Sequence, residues 1–210
     1  LAAGRCERIL VVAAEALSRQ LDWSDAQTCI LFGDGCAAAL LRREGEGHGA
    51  APRLLLRALC WGSDGGLRGQ HSDALSVAVS SAGQPRPPLT MDGRRVFLAA
   101  VRRLGEALET LCGAAGVAPE ALGKVVPHQA NGRLLEALAQ RSGLPESLFF
   151  RCVADVGNVG AASLPLALTR ARGEGALTPG STVALLAFGA GFSWGAALLD
   201  YEDAPKDESP

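Results

Sequence analysis

Seven residues, Val125-Val126-Pro127-His128-Gln129-Ala130-Asn131, constrain this chain more than any others. Lys124, Val125 and Val126 read as the end of a buried strand. Residues 132–141 read as an amphipathic helix with Leu134, Leu135 and Leu138 on its apolar side. Pro127 stiffens the turn between them, so His128 is held at a strand-to-helix junction. Open α/β sheets place their ligand sites at such junctions. An isolated histidine there would read as a core residue bonded to a backbone carbonyl, but two further polar, glycine-flanked segments follow it.

Around this junction the rest of the chain alternates strands and helices. Residues 9–14 form a continuous apolar run, the pattern of a strand covered on both faces, and 15–21 a short connection. Residues 27–32 and 36–42 are two more apolar runs joined by Gly33-Asp34-Gly35, which predicts a β-hairpin with Asp34 as turn chemistry. Residues 54–60 predict a strand. Residues 61–88 are polar and rich in Gly, Ser and Pro, so they predict a long surface loop at the entrance to a site. His48 and His71 have no carboxylate or cysteine at ligand spacing and read as solvated.

Residues 93–116 hold the clearest helix. Phe97, Val101, Leu104, Leu108 and Leu111 recur at spacings of three and four, and each large side chain buried contributes about 1.5–3 kcal/mol. Pro119 opens a short helical turn. Residues 149–153 predict a strand, and 161–172 a helix of small residues in the middle of the molecule, with Pro165 tolerated near its first turn. Residues 182–188 and 192–199 predict a last hairpin turning on Gly189-Ala190-Gly191, and 201–210 a disordered acidic tail.

A chain of 210 residues with 48% apolar residues can bury a substantial core. Its formal net charge of −2 argues against a nucleic-acid surface. The six cysteines contain no C-x-x-C pair, so free thiols in a reducing cytoplasm are expected rather than disulfides, and no metal site. No signal peptide and no membrane-spanning run is found. Leu1-Ala2-Ala3-Gly4 reads as the last turn of a helix stopped by Gly4, so the sequence is expected to be the later part of a longer polypeptide.

Five motifs in order carry a resemblance: Phe32-Gly33-Asp34-Gly35; Met91 with Gly93, Val96 and Phe97; Pro127-His128-Gln129-Ala130-Asn131; Gly157-Asn158 with Ala161-Ala162-Ser163; and Phe188-Gly189 with Gly191-Phe192, Trp194 and Gly195. From its first residues to about Asp200 the chain resembles the β-ketoacyl-acyl-carrier-protein synthase III branch of the thiolase-fold condensing enzymes. The resemblance implies an α/β, thiolase-like layered αβαβα fold. Residues 1–60 would end the N-terminal half, 61–92 connect, and 93–200 form the C-terminal half with the His/Asn site, followed by the tail.

It also implies a decarboxylating condensation of an acyl thioester with a malonyl thioester, in fatty-acid or polyketide biosynthesis. His128 and Asn158 would donate hydrogen bonds to the enolate oxygen, and Asp34 would buttress the nearby sheet. The Ala190 N–H, in the loop of Gly189 and Gly191, would complete the acyl oxyanion hole. Gly93, Phe97, Ala130 and Asn131 would line the pantetheine tunnel, and Arg133 would meet an acidic acyl carrier protein at its mouth. No cofactor is implied; acyl-CoA and malonyl-carrier protein are substrates. The nucleophilic cysteine is expected in an N-terminal segment before Leu1, since none of Cys6, Cys29, Cys36, Cys60, Cys112 or Cys152 matches it. A cytoplasmic homodimer is implied. Two alternatives share the fold: a non-decarboxylating acyltransferase or chain-joining ketosynthase, and a partner subunit without a nucleophile.

Overall fold

The computed structural model describes residues 1, 3–43, 52–64, 74–76 and 88–202. Their elements run β1 (Arg8–Ala16), β2 (Asp34–Arg42), β3 (Arg53–Ser63), β4 (Leu75–Ser76), β5 (Thr90–Met91), α1 (Gly93–Ala115), β6 (Lys124–Pro127), α2 (Gly132–Ser142), α3 (Val153–Val156), α4 (Ser163–Gly173), β7 (Thr182–Gly189) and β8 (Ser193–Glu202).

The centre is a four-stranded sheet in the order β3-β8-β7-β6. β6 runs parallel to β7, while β3 and β7 both lie antiparallel to β8. Successive residues of β7 face opposite layers. Ala184 and Leu186 pack with Leu104, Leu108 and Leu138 of α1 and α2, whereas Val183 packs with Ala167 and Ala171 of α4. The small residues of α4 let it approach the sheet closely, and its other side meets β2. The described layers are therefore helices α1 and α2, the four-stranded sheet, helix α4, and the two-stranded ribbon of β1 and β2. An α/β layered fold follows, and β6 meets its site at the edge of the central sheet. Pro127 is tolerated there because β7 is the one strand paired with β6 among the described residues, and the bridge on its other side is made at Val125.

Helix α1 follows the predicted stripe. Asp92 caps its start by accepting the Arg95 N–H at 3.0 Å, and Gly116 stops it at φ 65°. Leu104, Leu108 and Leu111 are buried, while Phe97 and Val101 are half-buried. Helix α2, the short turn at Pro119–Ala121 and the β7–β8 hairpin also match expectation.

Four readings of the sequence need correction. The run at 9–14 is a strand, but it is not covered on both faces: Leu10, Val11 and Val12 are 64%, 49% and 62% exposed. Residues 27–31 are turns and Phe32 makes a single bridge to Asn158, so there is no hairpin strand here, and β2 pairs with β1 instead. The carboxylate of Asp22 accepts from Ser24, and that of Asp25 accepts from Gln27 and Thr28, so these side chains draw the segment into turns. Residues 149–153 make a single bridge, Val125 to Phe149, before turning into α3. Of the surface loop expected at 61–88, residues 61–63 belong to β3, Asp64 follows it, and 75–76 form β4; residues 65–73 and 77–87 lie outside the described residues, as do His48 and His71.

At the ends, Gly4 takes φ 71° and its N–H donates to Leu1 O at 2.9 Å, the turn that a helix stop would make. β8 continues through Tyr201 and Glu202, two residues into the expected tail, because Arg53 pairs with Glu202 across the strands. Residues 203–210 lie outside the described residues. Among the described residues no helix is long and apolar enough to cross a membrane.

Candidate active site

His128 follows the last residue of β6 and continues the parallel ladder, its N–H donating to Leu186 O at 2.7 Å. Its side chain is only 7% exposed. The Phe188 ring stands perpendicular to it, with centroids 5.0 Å apart and planes at 89°. Burial lowers its pKa from 6.5 to about 4, so the imidazole is neutral at pH 7 and holds one N–H to donate. No ring nitrogen of His128 makes a hydrogen bond among the described residues.

Asn158 reaches the same cavity from the loop after α3, and its position is fixed by backbone. Its N–H donates to Leu31 O at 2.8 Å and its carbonyl accepts the Gly33 N–H at 2.9 Å, a parallel bridge centred on Phe32. A Cβ on Gly33 would lie 2.5 Å from Val156 O, so only glycine lets the two segments approach. The Phe32-Gly33 motif thus serves Asn158 rather than a hairpin. The side-chain Oδ1 of Asn158 accepts the Gly160 N–H at 3.0 Å, which orients the amide and leaves its NH₂ without a partner among the described residues. Asp34 starts β2 and accepts from the Ser18 N–H and hydroxyl at 2.8 and 2.5 Å. Those bonds hold its carboxyl below the usual range and tie the ribbon to the turn at Leu17–Gln20.

His128 and Asn158 line one cavity of about 1030 Å³. Gly93, Phe97, Ala130, Asn131, Gly189 and Ala190 line it too, so eight of the ten predicted site residues converge. Asn131 does double service there: its Oδ1 caps α2 by accepting the Leu134 N–H at 2.9 Å, and the residue lines the cavity. Gly191 does not line the cavity. Its φ of 141° and the 2.7 Å gap between a built Cβ and Ser193 Oγ make it a turn residue of the β7–β8 connection. Arg133 is exposed on the first turn of α2, beside Asn131 but outside the cavity.

The lining is mostly apolar; its polar side chains are Glu15, Gln27, His128, Asn131 and Asn158. None of the six cysteines lines it, and all six are free thiols. Burial raises the pKa of Cys60, Cys112 and Cys152, which makes these thiols poor nucleophiles. No group of three or more His, Cys, Asp or Glu side chains is placed to hold a metal among the described residues.

Sequence reasoning gave no role to three residues that shape the site. Gln129 is fully buried and bonds to three backbone groups behind His128. Phe188 sets the wall against the imidazole, and Glu15 accepts the Ala161 N–H at 3.2 Å beside Asn158. The first two lay within recognised motifs, and their roles appear only once the chain is folded.

The layering and the paired donors at one cavity define a thiolase-fold protein. Residues 1–59 match the family described as 3-oxoacyl-[acyl-carrier-protein] synthase III, and residues 112–201 match its C-terminal part. The chain is 41% identical over 198 residues to a β-ketoacyl-[acyl-carrier-protein] synthase III of Nitratidesulfovibrio vulgaris, covering 92% of this chain and 58% of that relative. Its structure is similar to that of 3-oxoacyl-(acyl carrier protein) synthase III from Pseudomonas aeruginosa, with TM-score 0.85, 35% identity, and 97% and 61% of the two chains covered. The Thermus thermophilus synthase III gives TM-score 0.83 at 38% identity, covering 97% of this chain and 62% of that one. The chain belongs to the 3-oxoacyl-[acyl-carrier-protein] synthase III family, and it spans 58% of the length of the first relative named.

Proposed function

We propose that this chain carries the decarboxylation half of a β-ketoacyl synthase III. A malonyl thioester enters the cavity with its thioester oxygen between His128 and Asn158. The bond to the carboxylate breaks, carbon dioxide leaves, and the electron pair moves onto the thioester oxygen as an enolate. A neutral imidazole N–H and an oriented amide NH₂ stabilise that oxyanion without adding negative charge. The enolate carbon then attacks an acyl thioester, forming the new carbon–carbon bond and releasing the thiolate that carried the acyl group. The Ala190 N–H, in the loop with Gly189, would hold the second oxyanion.

The single observation that carries this reading is the convergence of His128 and Asn158 on one largely apolar cavity, each with donor capacity left over. The acyl-bearing cysteine would come from polypeptide outside these residues. Acyl-CoA and a malonyl-carrier protein are the substrates, with no resident cofactor. Gly93, Phe97, Ala130 and Asn131 would flank the pantetheine arm. The carrier protein would dock beside Arg133, an exposed cation at the cavity's margin, through an attraction that weakens with salt. The reading includes a cytoplasmic homodimer working in fatty-acid or polyketide biosynthesis.

The test is malonyl-thioester decarboxylation by the full-length protein. His128→Ala and Asn158→Ala should each lose about 100-fold or more, as when one oxyanion donor is removed. Decarboxylation at the parental rate in either variant would overturn the assignment.

A further inference from the structure

Asp64, immediately after β3, and Arg103, midway along α1, form a forked ion pair. Arg103 Nη2 donates to Asp64 Oδ2 and Oδ1 at 2.7 and 2.9 Å, and its Nε donates to Oδ2 at 3.0 Å. The side chains are 25% and 14% exposed, against 44% and 57% for the Arg141–Glu109 pair between α2 and α1. A pair so shielded is screened less by salt than an ordinary surface bridge.

The pair is joined to the site by rings. The Arg103 guanidinium lies 4.7 Å from the centre of the Trp194 ring. Trp194 is 6.4 Å from Phe192, Phe192 stacks on Phe188 at 5.5 Å and 19°, and Phe188 meets His128. The Asp64 N–H also donates to Phe192 O at 2.8 Å, so one residue holds both ends of the first link. Phe192 is buried and Phe188 and Trp194 are half-buried, so each ring rests against the next and a tilt of one displaces its neighbour.

We propose that Asp64 and Arg103 are positioning residues for His128: their ion pair clamps Trp194, and the ring series Trp194, Phe192, Phe188 fixes the plane of the imidazole. Neither side chain lines the cavity, so both act through the rings. The inference rests on His128 being the enolate donor proposed above. Arginine suits the role because its flat guanidinium covers an indole face while its fork engages a carboxylate.

The experiment uses the full-length protein with Asp64→Asn, Arg103→Gln and Arg103→Lys, and with Arg141→Gln as a comparison. The first readout is the nuclear magnetic resonance signal of the His128 ring, which the Phe188 ring current makes sensitive to their relative tilt. The second is steady-state condensation. The three clamp variants should shift the His128 signal and lower kcat about tenfold, with KM for the malonyl thioester nearly unchanged, as for a misaligned catalytic group. Arg141→Gln should move neither. Folded clamp variants with an unshifted His128 signal and parental kcat would overturn the proposal. Arg103→Lys keeps the charge and loses the flat face; where the neutral variants do not fold, its ring signal alone decides, and an unshifted one is the overturning result. If His128→Ala retains decarboxylation, the functional reading falls, yet the ring signal still reports whether the clamp orients the imidazole.

Discussion

The Gln129 carboxamide accepts the Cys152 N–H at 2.9 Å while its Nε2 donates to the carbonyls of Pro127 and Phe150 at 2.8 and 3.2 Å. One fully buried side chain thus sews the end of β6 to the segment leading into α3. Gln129→Leu keeps the volume and strands three buried backbone groups, at a cost of about 2–4 kcal/mol. Urea unfolding of the variant should show that loss in its midpoint at an unchanged slope. A change below about 0.5 kcal/mol would show that the bonds are dispensable.

Acid should weaken the fold through His128. Unfolded, the imidazole takes up a proton below its ordinary value of 6.5; folded, burial defers protonation to about 4. The unfolded state therefore binds more protons between those values, and stability falls as pH drops through that window. The loss is about 3 kcal/mol, with no further loss from this residue below it. Asp34 also contributes in acid: its folded pKa is depressed by Ser18, so its stabilisation is lost as pH falls through that lowered value. The informative quantity is the difference between the parent and His128→Asn, measured by urea unfolding from pH 7 to 4. Parallel stability curves would contradict the prediction.

Asn131 combines a helix cap with a place in the cavity wall, and two substitutions separate them. Asn131→Ala should cost about 1 kcal/mol by stripping the Leu134 N–H of its acceptor, whereas Asn131→Ser should keep the cap to within a few tenths. If the amide also contacts substrate, as proposed, Asn131→Ser will raise KM for the malonyl thioester at near-parental stability. Thermal unfolding beside condensation kinetics checks both halves.

Gly33→Ala is expected to act at a distance. The new methyl would meet the Val156 carbonyl at 2.5 Å and push apart the segments that peg Asn158. A stability loss of about 1–3 kcal/mol should accompany a fall in decarboxylation larger than that in acyl transfer to the nucleophile. Equal effects on both half-reactions would separate Asn158 from the enolate step.

Periodicity exposed α1 and α2 because each buries one stripe, and the β7–β8 hairpin was legible because glycines flank its turn. The segments at 27–32 and 149–153 misled because apolar residues in a loop look like a short strand. What decided between them was the Asx-type bonding of Asp22 and Asp25 and the Gln129 amide, which accepts the Cys152 N–H and donates to the Phe150 carbonyl; only the first is local in sequence. His128 and Asn158 could be named from their motifs. The rings behind His128 stand in the last of those motifs, but their tie to an ion pair could not be read, because the Asp64–Arg103 contact joins residues 39 positions apart and Arg103 reads as one more charge on a solvated helix face.

The β1–β2 ribbon carries a last consequence. Its outer strand shows Leu10, Val11 and Val12 to solvent, and neither strand has a second neighbour among the described residues. Oily side chains beside unpaired backbone are a template for strand addition. Handled as an isolated polypeptide, these residues will behave as a colloid that thickens with concentration, and a lysine at position 12 should delay the haze.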